Sequence, residues 1–296
     1  MKIANRMAFG SVLCFLLLSF VGCHKSAEAA PDHPRLTQNV TMRDVTFHSV
    51  ALARDMQYRV IMPAMLPVNQ RLPVVYLLHG GGEDFRSWSN YSDVAKYAER
   101  GLILVMPEGG TSYYTNSAGH PEDRYEDYLV HDLIGDAEKR LSGAVGRQSR
   151  AIVGVSMGGF GAIKLALKYP GLFAFAGGLS SALDVPSRPF SIKRIGQWRH
   201  HRSIFGSWES QVQLDNDPFV LVRSADPATM PYLFLTCGEQ EGLLPANLRF
   251  AAFLAQHKFH YEFHAIPGGH DWNQWNERLP ALFQSLFAHM DSHRPS

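Results

Sequence analysis

Cysteine is scarce in this 296-residue chain, which holds Cys14, Cys23 and Cys237 and no others. Cys14 lies inside an N-terminal apolar stretch and Cys23 at its end. A mature domain would therefore keep one thiol, with no intramolecular disulfide to staple it. An excess of either charge is also missing. Lys and Arg total 28 against 27 Asp and Glu, a net +1 with no Lys/Arg run, so nothing electrostatic points to nucleic acid or an acidic polymer. The 14 histidines are scattered. His200-His201, His289 and His293 lack the spacing and companion ligands of a zinc site, so no metal is expected. No G-K-[ST] or G-x-G-x-x-G follows the glycine-rich stretch His79-Gly80-Gly81-Gly82, which argues against a phosphate cradle and a nucleotide cofactor. There is no internal repeat and no low-complexity tract.

What is present begins with a targeting segment. Lys2 and Arg6 precede the apolar run Met7 to Val21, which is too short to span a bilayer comfortably. Its end, Phe20-Val21-Gly22-Cys23, resembles the lipobox of bacterial lipoproteins, with Phe20 in place of the usual leucine. The expectation is a signal peptide over residues 1–22, lipid on Cys23 and a bacterial membrane lipoprotein. A plain secretory signal cleaved near Ala27 to Ala30, giving a periplasmic or secreted protein, is the competing reading, and a retained membrane anchor is a third. Residues 23–40, with Pro31 and Pro34, read as a tether, and residues 41–292 as one catalytic domain.

Hydrophobic content of 46% with 19% charged residues suits a globular α/β domain. Val45 to Leu52 and Gln57 to Met62 alternate and flank Ala53-Arg54-Asp55-Met56, which predicts an antiparallel hairpin. Val74 to Leu78 and Leu102 to Met106 are apolar throughout, as strands buried on both faces are. Ala151 to Val153, Phe173 to Leu179, Tyr232 to Thr236 and Tyr261 to Ile266 predict further strands. Helical patterns cover Ser92 to Glu99, Tyr125 to Leu141, Gly161 to Lys168, Asn247 to His257 and Trp272 to Met290. This alternation implies a mostly parallel central sheet flanked by helices. The segment of about 183–228 breaks the rhythm and reads as a short helical insert over the active site.

Between the strand at Ala151 and the helix at Gly161 lies Gly154-Val155-Ser156-Met157-Gly158-Gly159, a G-x-S-x-G elbow in its strand–turn–helix context. Such a turn holds its serine in strained geometry above the sheet edge and aims the next amide, that of Met157, at a developing oxyanion. The second oxyanion donor belongs on the loop after Val74 to Leu78, where Gly81 is the candidate. The base candidate is His270, on the loop between the last strand and the last helix. The acid belongs after Tyr232 to Thr236, where two glutamates compete. Glu241 has the loop length to turn back towards the histidine; Glu239 lies nearer the strand end. Asp226 and Asp271 remain outside choices. Tyr113, Tyr114, Trp198 and Trp208 are read either as lining an aromatic-tolerant pocket or as simple packing.

Leu78-His79-Gly80, Arg124 to Leu129, Gly154 to Ala162 and Pro267 to Trp275 together resemble the bacterial putative-esterase family of tributyrin esterases, S-formylglutathione hydrolases, feruloyl esterases and antigen 85-type mycolyltransferases. The resemblance runs from about Val45 to about Leu286. It implies an α/β-hydrolase fold, no cofactor, and an exported serine esterase cleaving carboxylic esters or thioesters through an acyl-enzyme on Ser156. Glu241 falls where many esterase members carry Asp, although mycolyltransferases resemble this chain in using Glu. Two rivals stand beside that reading: an acyltransferase delivering the acyl group to a sugar or alcohol, and a non-catalytic surface-binding protein on a hydrolase scaffold. The expected partner is a small-molecule or glycan-linked ester, with membrane contact through Cys23 alone.

Overall fold

The structure is a computed structural model that describes residues 31–65, 71–141 and 145–290. The signal peptide over 1–22, Cys23 and the tether up to residue 30 lie outside the described residues. Among the described residues, eight strands form one sheet in the order β1-β2-β4-β3-β5-β6-β7-β8. β1 (Val40–Ser49) and β2 (Arg54–Pro63) form the hairpin, and β2 runs antiparallel to β4. The remaining pairs are parallel: β3 (Val74–Leu78), β4 (Ile103–Pro107), β5 (Arg150–Val155), β6 (Phe175–Leu179), β7 (Tyr232–Gly238) and β8 (Tyr261–Ile266).

β3, β4 and β6 are apolar at every position, and β5 and β7 at nearly all, because helices cover both faces. In β3, Val74, Tyr76 and Leu78 enter one core while Val75 and Leu77 enter the other. Each fully buried side chain of this size contributes roughly 1.5–3 kcal/mol of transfer free energy. One face carries α1 (Ser87–Tyr91), α2 (Ala95–Ala98) and, further along the chain, the helix Trp272–Met290, whose Trp275, Leu279, Leu282, Phe283 and Leu286 follow helical spacing against the sheet. The other carries α3 (Tyr125–Asp127), a π-helical turn Tyr128–Leu133, α4 (Ile134–Arg140), α5 (Met157–Lys168) and the helix Leu244–Gln256.

Three departures from the expected elements have local causes. The hairpin turn falls at Val50 to Ala53 rather than Ala53 to Met56, because the distant Asp132 carboxylate accepts from the Ser49 hydroxyl at 2.6 Å and the Ala51 amide at 2.9 Å. The helix expected over Ser92 to Glu99 is instead the pair α1 and α2. Ser92 is extended at φ −127°, and its hydroxyl donates to the Trp88 carbonyl, closing the first helix before the second starts. Residues 31–39 form no helix or strand, yet they are pinned. The buried Arg59 guanidinium bonds Asp32 and Asp44 bidentately, with both Asp32 contacts at 2.7–2.8 Å, and the Arg35 amide donates to Ser89.

The insert divides in two. Its α6 (Ile195–Phe205) lies against the loop after β4, where the Ala118 and Gly119 amides donate to Ile204 and Ser203. The short α7 (Gln211–Leu214) leads to α8 (Pro218–Ser224), whose Val222 joins the core beside α5 and the Leu244–Gln256 helix, here α9. The Trp272–Met290 helix is α10.

Candidate active site

Ser156 sits between β5 and α5 at φ 55°, ψ −113°, a conformation that a residue with a side chain adopts only under constraint. The constraint is visible. Its amide donates to Leu179 at 2.8 Å, and its carbonyl accepts from Phe160 at 3.0 Å and Ala182 at 3.2 Å. The flanking glycines are steric necessities: a Cβ at Gly154 would meet the Gly158 carbonyl at 2.2 Å, and one at Gly158 would meet the Leu78 oxygen at 2.2 Å. Helix α5 begins at Met157, four residues before the expected Gly161. This makes the Met157 amide the first of the helix, with no acceptor in its own helix.

The loops after β7 and β8 bring the partners over. The Ser156 Oγ lies 2.9 Å from His270 Nε2, and His270 Nδ1 lies 2.7 Å from Glu241 Oε2. With the carboxylate ionised, Nδ1 carries the proton and donates it, leaving the Nε2 lone pair to accept from the serine hydroxyl. The Glu241 side chain is 1% exposed and that of His270 39%. The other acids are elsewhere. Glu239 is exposed at the strand end, Asp226 caps a turn at the Ala228 amide, and Asp271 caps α10 at the Asn273 and Gln274 amides.

Behind Glu241 lies a network that the sequence reading did not identify. Glu241 Oε1 accepts from the Ser180 hydroxyl at 2.6 Å and the Gly238 amide at 2.7 Å. Ser180 Oγ in turn accepts from Trp275 Nε1 at 2.9 Å, and the Trp275 ring meets the His270 ring edge to face at 5.0 Å. A Cβ at Gly238 would lie 2.6 Å from Glu241 Oε1, so the carboxylate occupies the space that glycine leaves open. The one signal available was Trp275, three residues into the last predicted helix and five after His270. The buried Cys237 is no rival nucleophile: burial, reinforced by the Glu241 charge, pushes its thiol up to about 12.

The glycine loop is held from both ends. The Gly109 amide donates to His79 Nε2 at 2.9 Å, so Nδ1 carries the proton donated to the Gly80 carbonyl. Glu83 accepts from the Gly80 amide at 2.8 Å with one oxygen and from Trp272 Nε1 at 2.6 Å with the other, clamping this loop to α10. Gly82 needs its glycine for a φ of 80°. Gly81 stands beside Met157, its Cβ position 3.9 Å from the Met157 Cβ. Together these walls enclose a cleft of about 300 Å³ over Ser156, with Asp271, Trp272 and Trp275 completing the lining.

Of the four aromatic residues weighed for the pocket, Tyr114 is core, fully buried with its hydroxyl donating to the His79 carbonyl. Tyr113 packs between Phe160 and Phe205. Trp198 contacts Phe190 in a separate groove and Trp208 is exposed. His120, Glu122 and Asp123 bring ligand-type atoms within 4.8 Å of one another on an exposed loop, where Asp123 already pairs with Arg54.

Comparison with known proteins agrees with this geometry. Residues 49–286 match the family described as "Putative esterase". The chain is similar to an acetyl esterase of Caldicellulosiruptor saccharolyticus, 24% identical over 83% of this chain and 97% of that protein. It is also similar to the diacylglycerol acyltransferase/mycolyltransferase Ag85B of Mycobacterium intracellulare, 29% identical over 72% of this chain and 74% of that one. Among solved structures, the fluorophosphonate-binding serine hydrolase FphF of Staphylococcus aureus superposes with a TM-score of 0.72 at 25% identity, over 85% of this chain and 98% of its own.

Proposed function

The chain belongs to the putative-esterase family of α/β-hydrolases and is a serine ester hydrolase, and from that premise we propose that it is an exported enzyme working through an acyl-enzyme on Ser156. The observation that carries the proposal is the unbroken line from Ser156 through His270 to Glu241. Ser156 Oγ attacks the ester carbonyl as its proton passes to His270 Nε2, and Glu241 stabilises the imidazolium without taking the proton. Negative charge developing on the carbonyl oxygen is met by the Gly81 and Met157 amides; losing one such donor typically costs ~10²–10³ in rate. The alcohol leaves with the proton from His270, and water, activated by the same base, releases the acid. A fluorophosphonate probe should label the protein, and Ser156→Ala should abolish labelling. A folded but unlabelled parent would return the chain to the class of surface-binding proteins on a hydrolase scaffold.

Acyl transfer is the second reading, favoured by the mycolyltransferase relative. It uses the same acyl-enzyme with a sugar or alcohol in place of water, and product analysis with p-nitrophenyl esters and sugar acceptors separates the two. Export rests on the N-terminal pattern, and tethering on Cys23. In a bacterial host, an alkynyl palmitate should label the chain, and Cys23→Ser should remove the label. A parent that never takes the label would leave plain secretion or a retained membrane anchor, and label retained by the variant would place the lipid on another residue.

A further inference from the structure

We propose that the face of the insert around residues 188–198 is a docking surface for an anionic phospholipid membrane. The balanced charge of the whole chain conceals a local asymmetry. From Val185 to Trp208 the sequence carries Arg188, Lys193, Arg194, Arg199 and Arg202 and not one Asp or Glu. Arg188 is paired with Asp184, and the Arg202 guanidinium donates to the Pro186 carbonyl. Lys193 and Arg194 stand on the exposed turn before α6.

Apolar side chains protrude from this same turn. Ile192 is 75% exposed, Phe190 57% and Ile195 39%, a concentration found in no other short stretch of the described residues. Phe190 and Trp198 meet edge to face at 5.2 Å and wall an open groove of about 340 Å³ with Arg188, Lys193, Arg194 and His201. Protruding apolar tips beside unopposed cations suit the boundary between headgroups and acyl chains, where the tips leave water and the cations meet lipid phosphates. The contact is peripheral, for no helix among the described residues is long and apolar enough to cross a membrane.

A path of packed residues runs from this surface to the serine elbow. The His201 ring lies 3.1 Å from the Tyr113 hydroxyl, Tyr113 packs on Phe160, and the Phe160 amide donates to the Ser156 carbonyl. Docking at this surface requires no lipid on Cys23.

The test is co-sedimentation of the Cys23→Ser chain with vesicles of pure phosphatidylcholine, and of phosphatidylcholine mixed equally with phosphatidylglycerol. Salt is set at about 0.05 and about 0.5 M to bracket screening. Expected is partition onto the anionic vesicles only, lost at high salt, weakened about 30-fold or more by Lys193→Glu with Arg194→Glu, and also weakened by Phe190→Ser with Ile192→Ser. Circular dichroism reports the fold of each variant. The vesicle readout is independent of ester turnover, so it stands apart from the reading of Ser156. Equal partition of parent and charge variant, or equal partition on neutral and anionic vesicles, overturns the proposal. So does retention on polygalacturonate without vesicle binding, which assigns the groove to an acidic glycan.

Discussion

Replacing Glu241 by Gln should lower kcat by about 10³–10⁴-fold, while Glu239→Gln changes it by no more than about twofold. The two substitutions make the same exchange of one carboxylate oxygen for an amide nitrogen, two positions apart in sequence, so the contrast isolates geometry. Glu241 presents two acceptor oxygens to three donors. One oxygen takes the Ser180 hydroxyl and the Gly238 amide, and the other takes the His270 Nδ1 proton. A Gln side chain has one acceptor oxygen, and its other terminal atom is a nitrogen that only donates. The Gly238 amide cannot become an acceptor, so the Gln carbonyl turns towards it and towards Ser180, and the amide nitrogen faces His270. The imidazole then keeps a lone pair on Nδ1 and carries its proton on Nε2. That is the nitrogen facing Ser156, and it can no longer accept the hydroxyl proton. The volume is unchanged, so the fold survives. Glu239 is exposed, and its change leaves every one of these bonds intact. Steady-state kinetics on p-nitrophenyl esters decide the matter, together with KM, which should stay within a few-fold. A large loss in the Glu239 variant and none in the Glu241 variant would reverse the assignment.

The legibility of this site followed the locality of its determinants. The elbow, the glycine loop and the loop holding His270 are each a short stretch in which steric need dictates residue type; the first two follow apolar strands buried on both faces, and the third follows the edge strand β8, which is largely half-buried or exposed. Preference for Glu241 over Glu239 rested on loop length alone, and the structure places Glu241 against His270. Ser180, Gly238 and Glu83 were invisible for the opposite reason. Ser180 reaches Glu241 across 61 positions, and Glu83 reaches Trp272 across 189, so a lone serine or glutamate in a loop carries no local mark of either contact. The hairpin was legible as a pair of alternating stretches, but its turn was set by Asp132, about 80 residues away. The insert read as irregular because its helices are short and draw on separate supports. Its α6 rests on the loop after β4, while α8 rests on α5 and α9.

The largest expected loss of stability lies away from the catalytic line, at Glu126. Lys164 of α5 is fully buried, and its ammonium donates to Glu126 Oε2 at 2.6 Å, the Tyr114 carbonyl at 2.7 Å, Thr115 Oγ1 at 3.0 Å and Asn216 Oδ1 at 3.2 Å. It thereby ties α5 to α3, to the loop after β4 and to the insert. Glu126 also receives Lys168 and the Tyr169 hydroxyl. Burial alone would raise the Glu126 carboxyl, and the charges of Lys164 and Lys168 more than reverse this and hold it below its ordinary range. Burial lowers the Lys164 ammonium to about 8, with Glu126 resisting the fall. Glu126→Gln keeps the shape and removes the only carboxylate bonded to that ammonium among the described residues, leaving a buried charge without its counter-ion. Such a change typically costs about 3–5 kcal/mol, which for a domain of this size is roughly 10 °C in Tm. The sign with pH follows from the lysine. Without Glu126 its folded value falls further below the unfolded value of about 10.4. The unfolded chain then binds the extra proton across that whole interval, and the variant gains stability as pH rises through it. The parent makes the same gain only above about pH 8. The gap in Tm between parent and Glu126→Gln should therefore be widest on the acid side of neutrality, above the carboxylate range, narrow as pH rises to about 8, and stay level above that, where Lys164 is neutral in both folded chains. On the acid side the parent alone loses stability as pH falls below the ordinary carboxylate range and Glu126 is protonated, so the gap narrows there too. Thermal unfolding across this pH range checks the shape, and a gap that is constant with pH would mean that Lys164 does not carry the charge.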